Sequence, residues 1–201
     1  VSELTTEQQI SRLAEGKVDA LLMVGSLPVK GLRFDPIVRE PLVAMVSRQS
    51  ALANREAISV EDLRHTSIIA SRLKDCRFHQ RFLHDFLEPY GIIPKIVESP
   101  QSCSVQLAYA AAGEGIVITT SSMATCAFPH VVALPFIESL APMQLGLAAI
   151  ENNESQSIRI FRQLVMDCAR STLKHALLPD NMNPVPAPQP LVAVMRRRAA
   201  S

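Results

Sequence analysis

The chain has 201 residues, 48% of them hydrophobic and 19% charged, a composition that fits a globular protein of one domain or two small lobes and excludes a disordered chain. Its longest apolar runs, residues 20–24 and 131–137, are far shorter than the roughly 20 residues that cross a bilayer, so no membrane span is predicted. Three of the 20 basic residues but only one of the 19 acidic residues lie in residues 179–201, so residues 1–178 carry a net charge of −1 and are not expected to bind DNA by themselves.

Residues 7–15 are the first predicted helix. Thr6 followed three residues later by Gln9 forms a capping box, and the same pattern starts one residue earlier at Thr5. Apolar side chains then recur at helical spacing, and Gly16 supplies the left-handed conformation that often ends a helix. The sequence therefore predicts a helix whose first turn carries two threonines.

Strand and helix signals alternate as far as residue 175. Apolar runs predict strands at residues 18–24, 42–47, 67–70, 95–98, 115–119, 131–134 and 144–150. Apolar spacing predicts helical segments at residues 60–63, 78–90 and 99–112, and a last helix striped by Ile158, Phe161, Leu164, Val165 and Cys168. Ser99 before Pro100 is the expected N-cap of the helix over residues 99–112. The alternation predicts parallel sheets covered on both faces.

The last segment of the chain, residues 179–201, differs in composition from the rest. It contains five prolines and a run of three arginines, Arg196, Arg197 and Arg198. Proline fits neither a helix interior nor a sheet ladder, so an extended, disordered tail is predicted. Because the segment has no aromatic side chains, these arginines are not expected to form a nucleic-acid site.

Three runs in the chain resemble the effector-binding domain of LysR-type transcriptional regulators. They are ELTTEQQISRLAEGKVDALLMVG (residues 3–25), REPLVAMVSRQSALANREAISVEDLRHTSII (39–69) and AYAAAGEGIVITTSSM (108–123). The resemblance covers about residues 1–175 in order. It implies an α/β, two-lobed, periplasmic-binding-protein-like fold of type 2, in which two crossover strands join the lobes and a small molecule binds in the cleft between them.

The resemblance also implies how the chain is divided. Lobe one would be residues 1–38 plus 143–178, and lobe two residues 39–142. The first strand and first helix of lobe one would precede this chain, as would the helix-turn-helix through which the parent protein binds DNA. An unpaired central position in the sheet of lobe one, and a less stable fragment, would follow from the missing strand.

The first candidate contacts for an effector lie at the start of the first helix. Helix N-termini direct N–H groups and partial positive charge towards anions, and ligands of open α/β sheets bind beyond the carboxyl ends of the strands. The resemblance places Thr5 and Thr6 on the cleft, where they would donate hydrogen bonds to a carboxylate. The alternative is that both threonines only cap the helix.

A second group of candidate contacts follows the strands of lobe two. The resemblance places Ser71 and Arg72 in a loop that contacts the effector, where the guanidinium would pair with a carboxylate; a solvated loop arginine is the alternative. Gly25 and Thr119 are pocket candidates by position, because each ends a predicted strand. Members of the family often carry proline just after the strand that ends at Thr119, so this pocket wall is expected to be more polar here.

Nothing in the sequence predicts an enzyme, a cofactor or a metal site. The cysteines, at positions 76, 103, 126 and 168, include no CxxC pair, so a reducing, cytoplasmic environment is expected. A redox role for Cys76 is a minor alternative, and Cys168 is expected in the core. The histidines lack metal-ligand spacing, and neither a nucleophile elbow nor a Gly-rich phosphate loop occurs.

The resemblance implies the sensing module of a bacterial transcription factor. A small anionic effector would bind between the lobes, and the domain would assemble as a homodimer or tetramer, with DNA bound only through the helix-turn-helix. A periplasmic-type solute-binding protein shares the fold and is the first alternative, and a small hydrolase is a weaker one. A module that keeps its assembly surface but no longer binds ligand is a third.

Overall fold

The computed structural model describes residues 4, 6–24, 31–72, 77–99, 102–125, 128–151 and 155–173. The helices are α1 (Thr6–Ala14), α2 (Arg77–Leu87), α3 (Cys103–Ala111) and α4 (Gln156–Leu173). The strands are β1 (Ala20–Val24), β2 (Leu32–Glu40), β3 (Leu42–Ser47), β4 (Ser67–Ser71), β5 (Lys95–Ser99), β6 (Val117–Thr120), β7 (Val131–Pro135) and β8 (Met143–Ile150). Short 3-10 segments lie at Ala51–Asn54, Val60–His65, Glu88–Tyr90 and Ser121–Thr125.

The first sheet has three strands in the order β1-β8-β2, and both pairings are antiparallel. Helix α1 covers one face of this sheet, where Leu13 packs against Leu21, Met23 and Ala148. Among the described strands the central one, β8, is paired on both sides, and β1 lies at the edge, so the open position left by a strand that precedes this chain stays a prediction.

The second sheet combines parallel and antiparallel pairs. Strands β4 and β5 are parallel, and a parallel bridge between Ile68 and Ile116 joins β4 to the segment that leads into β6. Strand β3 lies between β6 and β7 and runs antiparallel to both. The prediction of parallel sheets therefore holds for β4, β5 and β6 and is wrong for β3 and for the first sheet. The reason is that β3 continues directly from β2 and so enters from the edge at which its neighbours end.

Two segments connect the sheets at one common edge. Pro41 alone separates β2 from β3, and residues 136–142 connect β7 to β8. The last residue of β6, Thr120, pairs with Leu42 at the start of β3, and the last residue of β2, Glu40, pairs with Met143 at the start of β8. In each sheet, the strands that run in the same direction therefore have their carboxyl ends next to the two connecting segments.

Apolar side chains cover both faces of the second sheet. All six residues of β3 are buried, as expected for a strand packed on two sides. One core contains Ala44 and Ile68 with Leu83 of α2, and the other contains Met45 and Leu107 of α3, among other residues. The ends of β4, β5 and β6 are therefore held rigidly from both faces.

Helix α3 begins later than predicted. Ser99 is fully buried as the last residue of β5, where it pairs with Ser71 of β4, and α3 begins at Cys103 with Ser102 as its N-cap. The predicted cap at Ser99 is therefore wrong, because strand pairing overrides the local Ser-Pro signal.

Helix α4 packs on the first sheet at few positions. Ile158 is buried, but Phe161 and Leu164 of the predicted stripe are exposed, and so is Cys168. The predicted core position of Cys168 is therefore wrong. Helix α4 contacts β2 through the first half of the helix, where Nε of Arg162 lies 3.0 Å from Oδ2 of Asp35. Of the helices described, none combines the length and apolar character needed to cross a membrane. The predicted tail, residues 179–201, lies outside the described residues, as does Cys76.

Candidate effector site

Hydroxyl side chains lie at the connecting edge, at the ends of two neighbouring strands and one residue before the end of a third. Ser71 and Ser99 are the paired last residues of β4 and β5. Thr119, in β6, lies three residues after Ile116, and Ser71 lies three residues after Ile68, the bridge partner of Ile116. Two of the predicted site residues, Ser71 and Thr119, are therefore brought to the same edge of the second sheet.

A buried polar cluster surrounds Ser71, whose exposed fraction is only 3%. Gln106 of α3, which is 7% exposed, donates from Nε2 to Ser71 Oγ at 3.1 Å. Gln80 of α2 donates to the Ser71 carbonyl oxygen at 2.9 Å. The Ser71 backbone N–H donates to Nδ1 of His79 at 3.3 Å. These hydrogen bonds connect α2 and α3 to the end of β4. They also supply the partners that buried polar groups need.

The contacts of His79 determine where its proton lies. A backbone N–H can only donate, so Nδ1 must be the acceptor and the neutral ring carries its proton on Nε2. Burial lowers the pKa of the His79 imidazole below its usual 6.5. Near neutral pH the cluster therefore contains an uncharged imidazole with a directed N–H donor.

The lowered pKa of His79 predicts a pH dependence of stability. Between the folded pKa and 6.5 the unfolded chain binds a proton that the folded chain does not, so the free energy of unfolding should fall as the pH falls through this window. The slope is at most about 1.4 kcal/mol per pH unit. Urea unfolding between pH 5 and 8 should show this component in the wild type and not in His79→Gln; equal slopes in the two would contradict it.

Arg72 leaves the end of β4 beside this cluster. Its backbone N–H donates to the carbonyl oxygen of Ser99 at 3.0 Å, and the residue is half-buried. The guanidinium is therefore attached to backbone that is fixed by strand pairing, close to the ends of β4 and β5.

The start of α1 lies on the opposite side of the connections. Because only five residues separate Ala14 from β1, the helix and the strand run antiparallel, and the N-terminus of α1 lies at the carboxyl end of β1. Val24 at that end pairs with Leu145, two residues after β8 begins. Thr6, the first helical residue, thus stands on the first-sheet side of the connecting edge.

The predicted cap at Thr6 is wrong in detail. A capping threonine precedes the helix, whereas Thr6 is already helical, and Oε1 of Gln9 is buried without a hydrogen-bond partner among the described residues. Thr5, which would occupy the cap position, lies outside the described residues, and so does Gly25.

His79, Gln80 and Gln106 were not identified from the sequence. The available signal was a polar residue in an apolar helix face: Gln106 is buried beside Leu107 and Ala110 of α3. His79 was considered only for metal spacing, which cannot show a histidine that binds a backbone N–H.

One group with metal-binding residue types occurs within the described ranges. Ligand atoms of His84, Asp85 and Glu88 lie within 4.8 Å of one another, a grouping that the sequence does not predict. These residues lie at the opposite end of α2 from His79, and Arg81 already donates to Asp85 at 2.8 Å. The group is therefore separate from the polar cluster.

Comparisons with known proteins give the family. Residues 1–170 match the model of the LysR substrate binding domain. The effector binding domain of QuiR in complex with shikimate superimposes with a TM-score of 0.72 at 18% identity, covering 84% of this chain and 79% of that one. The BenM effector binding domain with its effector benzoate gives 0.72 at 20% identity, covering 90% and 82%.

Curated relatives agree with this assignment. The HTH-type transcriptional regulator ShiR of Corynebacterium glutamicum (strain R) is 23% identical over 176 residues, which are 87% of this chain and 58% of the relative. The curated relatives that match are described as transcriptional regulators, and the chain spans 40–58% of their length. The two-lobed, type 2 periplasmic-binding-protein-like fold predicted from the sequence is confirmed. The chain belongs to the LysR substrate-binding domain family.

Proposed function

We propose that this chain is the effector-sensing domain of a cytoplasmic LysR-type transcription factor and binds a small carboxylate between its two sheets. One observation carries the proposal: a buried polar cluster lies where the strands of the second sheet end, facing the connections to the first sheet. Ligands of open α/β sheets bind at such edges. Shikimate and benzoate, the molecules bound by two structural neighbours, are both small carboxylates.

The charge distribution of the site supports an anion. Arg72 supplies a cation at the end of β4, and a guanidinium pairs with a carboxylate through two parallel hydrogen bonds. On the opposite side, α1 begins at Thr6, and the N-terminus of a helix carries a partial positive charge that favours anions. Thr119 adds a hydroxyl at the same edge of the second sheet. Thr5 and Gly25 complete the proposed contacts.

Signalling would follow from unequal affinity for two arrangements of the lobes. A ligand shifts a conformational equilibrium only by the difference between its affinities for the two states. In the proposal, residues 1–38 plus 143–178 move against residues 39–142 around the two connections. A homodimer or tetramer would convert this movement into the spacing of DNA-binding domains elsewhere in the protein. The regulatory description of the relatives favours this role over transport or hydrolysis.

Substitution of Arg72 tests the proposal. Calorimetric titration of the full-length protein with shikimate, benzoate and a panel of other small carboxylates should find at least one that binds. Arg72→Met should weaken that binding at least about tenfold, because a hydrogen bond to a charged group contributes about 1.5–3 kcal/mol.

Arg81→Met is the matched control. Arg81 is an exposed arginine of α2 that pairs with Asp85, and its loss should leave affinity unchanged. Equal affinities of Arg72→Met and wild type, or a panel in which no carboxylate binds, would contradict the proposal.

A further inference from the structure

We infer that Ser71, His79 and Gln106 select an uncharged hydroxyl on the effector, so that the effector is a hydroxylated carboxylate rather than a simple or a dicarboxylic acid. The inference rests on the proposed function and names the ligand class of the same site. It comes from the hydrogen-bonding capacity that these three side chains retain after they have bonded to one another.

The first retained group is a donor. Nδ1 of His79 accepts the Ser71 N–H and lies 3.4 Å from Ser71 Oγ. The proton of the neutral ring therefore sits on Nε2, which takes no part in these contacts. His79 keeps part of its surface exposed at the start of α2, next to the end of β4. A ligand oxygen that accepts a hydrogen bond fits this N–H.

The second retained group is an acceptor. Gln106 uses Nε2 to donate to Ser71 Oγ at 3.1 Å, which leaves its Oε1 for another partner. A hydroxyl both donates and accepts, so it suits either retained group, as a donor to Oε1 of Gln106 or as an acceptor from Nε2 of His79. A carboxylate only accepts and would face Oε1 with another oxygen.

The absence of charge in the cluster favours a neutral group. His79, Ser71 and Gln106 carry no formal charge, since burial keeps the imidazole neutral near pH 7. Among the described residues of the adjoining elements, Arg72 is assigned to the effector carboxylate, Arg81 of α2 pairs with Asp85, and Oε1 of Glu98 lies 3.4 Å from Nε2 of Gln80. A second carboxylate buried against these three uncharged side chains would lose hydration without gaining a cation from them.

The expected difference in affinity comes from the polar groups of the site that stay without a hydrogen bond when the ligand lacks the hydroxyl. A site built to hydrogen-bond a hydroxyl rejects the analogue that lacks it far more strongly than an apolar pocket rejects a missing methylene. We therefore expect a hydroxylated acid to bind at least about tenfold more tightly than its parent acid.

Matched pairs of acids test the inference on the full-length protein. Calorimetry would compare shikimate with cyclohex-1-ene-1-carboxylate, and the three hydroxybenzoates with benzoate. In the wild type, at least one hydroxylated acid should exceed its parent by tenfold. In the variant His79→Phe with Gln106→Leu, the parent acid should bind within threefold of its wild-type affinity and the preference should disappear. Gln163→Leu, which removes an exposed glutamine of α4, should keep the preference.

Three results would overturn the inference. They are parent acids that bind as tightly as their hydroxylated forms, a double variant that keeps the preference, and a ligand-free protein in which nitrogen NMR shows the His79 proton on Nδ1, or a charged ring, at pH 7.5. Each would leave the proposed function standing if carboxylates still bind through Arg72. Failure of every acid to bind would instead reject the proposed function and the inference with it.

Discussion

Ile92→Ala is expected to lower the free energy of unfolding by about 2–5 kcal/mol, while Ile93→Ala should change it by less than about 0.5 kcal/mol. The two isoleucines are adjacent and identical in type, but Ile92 is 4% exposed and Ile93 is 93% exposed. Gly91 has a positive φ of 62°, which turns the chain after α2 and returns Ile92 to the core. Loss of its branched side chain would leave a cavity among close-packed residues.

Urea unfolding of the two alanine variants measures this difference. Both substitutions remove the same atoms and lower β-propensity equally, so the neighbouring position controls for everything except burial. Similar unfolding midpoints for the two variants would show that Ile92 is not part of the core.

Gly115→Ala is expected to destabilise the chain by about 3 kcal/mol, the upper part of the usual range for overpacking. A Cβ at this position would lie 2.5 Å from the carbonyl oxygen of Ser67 and 3.3 Å from Cγ1 of Ile69. The same carbonyl accepts the Ile116 N–H at 2.9 Å, so the clash cannot be relieved without separating β4 from β6. Separation of these strands would also displace Ser71 and Thr119 at the edge of the second sheet.

The control for Gly115→Ala is the adjacent, exposed position. Glu114→Ala should leave the unfolding midpoint nearly unchanged, because the Glu114 side chain is exposed. Thermal unfolding and effector titration of both variants would check this prediction. A Gly115→Ala variant as stable as the wild type would contradict the close approach of β4 and β6.

Much of the fold could be predicted because each element carries a local signal. The strand over residues 42–47 has the predicted bounds, since six consecutive apolar or small residues indicate a strand buried on two faces. The same pattern says nothing about direction, so the antiparallel course of β3 could not be read from it. Direction follows from where the chain enters the sheet, which depends on Pro41 and the connection to β2.

The placement of two proposed site residues at one edge could be predicted for a similar reason. Ser71 and Thr119 lie at or next to the ends of strands that the sequence marks clearly, and parallel strands bring their carboxyl ends to one edge. Gln106 and His79 lie 35 and 8 residues from Ser71 along the chain, and their contacts arise only when α2 and α3 pack on opposite faces of the sheet. The spacing of residues within one segment cannot predict contacts between residues of three different elements.

Amide chemical-shift mapping tests most directly whether the ligand contacts both sheets at once. With the effector identified by titration bound to the labelled protein, the predicted result is that amides at Thr6 on the first-sheet side and at Ser71, Arg72 and Thr119 on the second-sheet side shift together and saturate at one affinity. Shifts confined to one sheet, or to residues away from the connecting edge, would contradict binding between the lobes.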